Sequence, residues 1–71
     1  MPKRRDVIKK IRQGAKRAGV EVSFPELTNH TGIICGSVKT TIGRHTEVPD
    51  LFAETIYRQL EPALGKGWWR K

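Results

Sequence analysis

Two histidines and the single cysteine lie within one stretch, Asn29–Thr46, which reads NHTGIICGSVKTTIGRHT. Histidine suits proton transfer near neutral pH, and two imidazoles on one surface support general acid–base chemistry. With Cys35 they support a different chemistry, a metal site, because imidazole and thiolate both bind zinc. Lys39 and Arg44 lie in the same stretch and can supply positive charge to an anionic group. Which chemistry is open depends on which side chains share a face.

The elements around these residues decide that. Thr31 to Cys35 and Val38 to Ile42 are rich in β-formers, with Gly36-Ser37 between them. Glycine first in a two-residue loop suits a type II′ hairpin turn. The register then pairs Cys35 with Val38, Ile34 with Lys39, Ile33 with Thr40, Gly32 with Thr41, Thr31 with Ile42 and His30 with Gly43. One face carries Thr31, Ile33, Cys35, Val38, Thr40 and Ile42 and is the expected core side. The other carries His30, Ile34, Lys39, Thr41 and, if the strand continues, His45, with open floor at Gly32 and Gly43. His45 lies on the diagonal to His30, roughly 7–8 Å away backbone to backbone. The two imidazoles therefore share a face and Cys35 takes the opposite one. This register argues against a His30–Cys35–His45 metal site and makes Cys35 a small core residue.

The rest of the chain must supply a core and a sheet partner. Residues 4–18 read as an amphipathic helix, with Val7, Ile8, Ile11, Ala15 and Ala18 on one arc. Arg5, Lys9, Arg12 and Lys16 cluster opposite, and Lys3, Lys10 and Arg17 flank the apolar arc. Gly14 weakens this helix by about 1 kcal/mol relative to alanine, and Gly19 suits its end. Val20–Phe24 alternates as a short strand that Pro25 limits, and Glu26–Asn29 connects it to the hairpin. Residues 50–64 form a second amphipathic helix, with Phe52, Ala53, Ile56, Tyr57, Leu60, Ala63 and Leu64 on its apolar arc. Pro62 bends or tightens its last turn and Gly65 ends it. The expected fold is α+β, in the order α-β-β-β-α: a three-stranded antiparallel sheet with two helices packed on one face. The chain, 1–71, is one small domain with a core of about 4–64 and a tail of 65–71. Trp68 and Trp69 in that tail can stack on bases, but packing or a protein partner is the favoured role.

Charge points to a class of partner. Residues 1–18 hold eight basic side chains against Asp6 alone, while residues 19–71 are balanced at six of each sign. A field concentrated on one segment favours polyanions, nucleic acid above all, or else serves solubility. One cysteine makes no internal disulfide and suits a reducing cytoplasm. Neither a signal peptide nor a membrane span is read, and no cofactor is implied.

At this point the chain resembles the HicA family of bacterial mRNA-interferase toxins, over roughly Asp6 to Leu64. The resemblance rests on the basic first helix, on Asn29-His30-Thr31-Gly32-Ile33 opening the second strand, on Gly43-Arg44-His45 closing the third, and on the last helix. This chain has Thr28-Asn29 where the family usually has Gly-Ser, and Gly43-Arg44-His45 where it often has Pro-Arg-His. The resemblance implies a double-stranded-RNA-binding-domain-like fold, endoribonuclease activity on mRNA, and neutralisation by a HicB-like antitoxin. His30 would be the catalytic histidine. His45 would be a second proton-transfer group or a phosphate contact.

RNA carries its own nucleophile, the 2′-hydroxyl, so cleavage needs a base, an acid and cations but no metal. Lys9, Arg12, Lys16, Lys39 and Arg44 are the expected RNA contacts. Two other readings remain open: a non-catalytic RNA-binding module of the same fold, and a protein whose business is a protein partner.

Overall fold

A computed structural model describes residues 2–70. Its elements run α1 (Arg4–Ala18), β1 (Val22–Ser23), β2 (Thr31–Cys35), β3 (Val38–Ile42), α2 (Asp50–Gln59), α3 (Glu61–Leu64) and a closing 3₁₀ turn (Trp68–Arg70). The sheet is antiparallel in the order β1-β2-β3. This is the expected α+β architecture.

The first helix has the span its periodicity predicts. It ends in a Schellman arrangement: Gly19 takes φ 69°, its N–H donates to Lys16, and the Val20 N–H donates to Ala15. Val7, Ile11 and Ala15 are buried, as their arc requires, but Ala18 in the last turn is exposed.

The hairpin register is the one its turn dictates, with Cys35 opposite Val38 and Thr31 opposite Ile42. Gly36 has φ 58°, and among the described residues only glycines have a positive φ, which fits a turn needing one positive-φ residue at its first position. Ile33, Cys35 and Ile42 are buried on the helix side, while Lys39 and Thr41 are exposed on the other.

Three expectations need correction. The first strand is only Val22–Ser23, not Val20–Phe24, yet its pairing resumes beyond the break at the Glu26–Thr31 bridge. The Gly32 N–H donates to the Pro25 carbonyl at 2.7 Å, but Pro25 has no N–H to return the bond. The Leu27 N–H then donates to the His30 carbonyl, so Thr28-Asn29 is a tight turn. Second, Gly32 is not open floor: it is buried, and a Cβ there would lie 3.1 Å from Pro25 Cγ. Third, the last helix divides at Leu60, whose ψ is −3°. Pro62 lacks the N–H that would bond the Arg58 carbonyl, and its ring presses on that group.

The core reaches past Leu64. Trp68 is 3 % exposed, and its Nε1–H donates to the Tyr57 carbonyl at 2.8 Å. Its indole fills the notch at Gly14, where a Cβ would lie 2.5 Å from Cε3. The Tyr57 ring meets Trp68 edge-on and stacks on Trp69. Lys10 and Arg17 of α1 donate to the carbonyls of Trp69 and Trp68, so two first-helix cations hold the last turn in place. Among the described residues, no helix is long and apolar enough to cross a membrane.

Candidate functional site

His30 emerges from the Thr28-Asn29 turn one residue before β2, and the register places it across from Gly43. Gly43 follows β3, and the segment after it sends alternate side chains to opposite sides. Gly43, His45 and Glu47 line one cleft together with His30, while Arg44 and Thr46 line another. This alternation brings the two imidazoles together at one end of the sheet. Both are exposed. The His45 ring lies along Gly43, with Cδ2 3.8 Å from where a Cβ would stand, so the missing side chain leaves the floor between the imidazoles clear.

The imidazole cleft encloses about 440 Å³. Its far wall comes from the start of α2 and the preceding connection: Val48, Pro49 and Phe52. Phe52 was expected in the apolar arc facing the core, but it is 62 % exposed. It lies between this cleft and a second hollow that it lines with Thr40, Thr41 and Ile42 of β3.

Arg44 points away from the imidazoles. Its guanidinium donates to the carbonyls of Leu27, Thr28 and His30 and forms a 3.0 Å ion pair with Glu26. Arg4 approaches from the start of α1. It donates to the Gly43 carbonyl at 3.1 Å and to the Thr31 hydroxyl, which in turn donates to Glu26 at 2.8 Å. Glu26 thus sits between two arginines and a buried threonine, and the group ties together both chain segments that carry the histidines. No periodicity marks Arg4, Glu26 or Thr31 for this role; the one signal in the sequence is their nearness to the ends of the strands. Lys3, Arg4, Arg5 and Arg44 make the second cleft, of about 280 Å³, strongly basic.

The other expected RNA contacts are dispersed. Lys39 is exposed, but it lies four residues along β3 from Gly43, or about 13 Å at strand rise. Lys9, Arg12 and Lys16 form an exposed stripe on α1, with the Arg12 guanidinium stacked 4.7 Å over the Phe24 ring. Cys35 is fully buried on the core side, and burial pushes its thiol pKa up. The His30–Cys35–His45 trio is therefore not assembled. Among the described residues, no group of three or more histidine, cysteine or acidic side chains is placed to hold a metal ion.

What this arrangement can do is transfer protons on an anionic substrate that reaches across a basic flank. No family model, no curated protein and no solved structure matches the chain.

Proposed function

We propose that the chain is an endoribonuclease toxin that cuts mRNA in the cytoplasm and is held inactive by a cognate HicB-like antitoxin. The observation that carries this reading is the pairing of His30 and His45 in one solvent-open cleft across Gly43. The resemblance to HicA toxins points the same way. In this reading, one imidazole takes the proton from a ribose 2′-hydroxyl. The 2′-oxygen attacks phosphorus, the bond from phosphorus to the 5′-oxygen breaks, and the second imidazole protonates that leaving oxygen. The products are a 2′,3′-cyclic phosphate and a 5′-hydroxyl. Cations outside the cleft, at Lys3, Arg4 and Arg5 and along α1, hold the RNA by its phosphates. An antitoxin silences the enzyme most directly by covering the imidazole cleft, the basic surface or both.

The test is cleavage of RNA by His30→Ala and His30→Gln. Both positions of the cleft are exposed, so neither change opens a core cavity. The rate should fall by about 10²–10⁴-fold while the fold and antitoxin binding persist. His45→Ala should remove one limb of a bell-shaped pH profile, and His30→Ala the other. Cleavage at near wild-type rate by either His30 variant leaves a non-catalytic RNA-binding module as the better reading.

A further inference from the structure

Half of the imidazole cleft is not used by proton transfer. Val48, Pro49 and Phe52 give it an apolar wall, and the exposed ring of Phe52 stands at its rim. Glu47 lines the same cleft from the His45 side. Its carboxylate takes part in none of the ion pairs among the described residues, which involve only Glu26 and Glu54. An open aromatic face beside a free carboxylate is an arrangement for a flat ring that carries N–H donors on one edge.

We propose that this half of the cleft is a guanine-selective nucleobase subsite, with Phe52 stacking on the base and Glu47 reading its edge. The subsite rests on the endoribonuclease reading for its place beside the cut. Stacking on an exposed aromatic ring accepts any base, since every base has a π-face. Selection then falls to the carboxylate, which only accepts hydrogen bonds and takes two parallel ones best. Guanine alone offers two adjacent donors on one edge, N1–H and the N2 amino group. Adenine and cytosine place a ring nitrogen acceptor beside their amino donor, and uracil flanks its N3–H with two carbonyls. Each of those sets a lone pair against the carboxylate. A cleft of about 440 Å³ is large enough for a base with its ribose. Its position puts the sugar and phosphate toward His30, with the apolar wall beyond.

The experiment uses the His30→Ala chain, in which cleavage of RNA should be slower by about 10²–10⁴-fold. It is titrated with the 5′-monophosphates of guanosine, adenosine, cytidine and uridine, and with a short single-stranded RNA carrying one guanine. Binding is followed by NMR shifts of the Phe52 ring and the Gly43 amide. The guanosine nucleotide should bind about tenfold more tightly than the other three. Glu47→Gln should erase that preference. Phe52→Ala should weaken all four alike, and Phe52→Trp should restore them. The RNA should bind more tightly than the mononucleotide, because it adds phosphate contacts.

Equal affinities for the four nucleotides, or a guanine preference that survives Glu47→Gln, overturns the proposal. Weaker binding of the RNA than of the mononucleotide also overturns it, in favour of a free-nucleotide site. So does a Phe52→Ala chain that loses its antitoxin yet binds nucleotides unchanged, which makes Phe52 a protein contact. Cleavage by the wild-type chain separates this proposal from the reading beneath it. No cleavage, with guanine preference intact, sinks the nuclease and keeps the base site. Cleavage without guanine at the cut, unaffected by Glu47→Gln, does the reverse.

Discussion

The guanidinium of Arg44 lies 3.4 Å from the carbonyl of His30 and spans the whole turn that delivers that histidine, with further bonds to Leu27 and Thr28. Arg44 is thereby a positioning residue, and its charge is already matched by Glu26 at 3.0 Å. Arg44→Ala should lower the cleavage rate by about 10²-fold through misplacement of His30, with KM little changed. Arg44→Lys should not rescue it, because a single ammonium cannot span three carbonyls and a carboxylate. Steady-state kinetics at several salt concentrations decide the matter. A variant that loses RNA affinity and salt dependence at unchanged kcat makes Arg44 a phosphate contact instead.

The stripe of Lys9, Arg12 and Lys16 faces solvent along α1. Charge reversal at all three should weaken RNA binding and flatten the dependence of log affinity on log salt by about 2, the counterions released by three single-strand phosphate contacts. Stability should change little at Lys9 and Lys16. At Arg12 the lost stacking on Phe24 costs about 0.5–1 kcal/mol. Filter binding across a salt series reads the first effect and urea denaturation the second; unchanged affinity in the triple variant removes this stripe from the interface.

Gly14→Ala reverses the usual sign of that substitution. Helix propensity alone favours alanine by about 1 kcal/mol. Here the new methyl would stand 2.5 Å from Trp68 Cε3, and that indole is buried and tied to the Tyr57 carbonyl, so it has nowhere to go. The expected result is a net loss of about 1–3 kcal/mol with altered tryptophan fluorescence. A more stable Gly14→Ala chain means that Trp68 does not occupy the notch in solution.

Stability should fall on the alkaline side. Burial raises the thiol pKa of Cys35 above 9.0, and burial with a smaller contribution from Asp6 raises the phenol pKa of Tyr57 above 10.0. In both cases the unfolded chain ionises first. The stabilisation is whole below pH 9.0 and is lost as pH rises through the raised folded values. Thermal melts from pH 7 to 11 should show the decline, and Cys35→Ala should remove its first part. A flat profile shows that these groups titrate alike in the folded and unfolded chain.

Some of this protein is written in short-range pattern. The hairpin register follows from one glycine at a two-residue turn and the two-residue alternation of the strands, so His30, His45 and Cys35 are assigned to faces before any tertiary contact forms. The span of α1 follows from its 3.6-residue period and Gly19. These are local rules, and the structure keeps them.

Tertiary structure decided what local rules leave open. Periodicity says which way a side chain points but not what it meets. Thus Gly14 reads as a weak helix position until Trp68 is seen to need its missing methyl. Arg44 reads as a free cation until the Leu27–His30 turn folds back under it. Phe52 has the spacing of a core residue, yet it is 62 % exposed and opens onto the imidazole cleft instead. Each outcome depends on where distant segments come to rest, and that is set by the packing of the whole core rather than by any one stretch of chain.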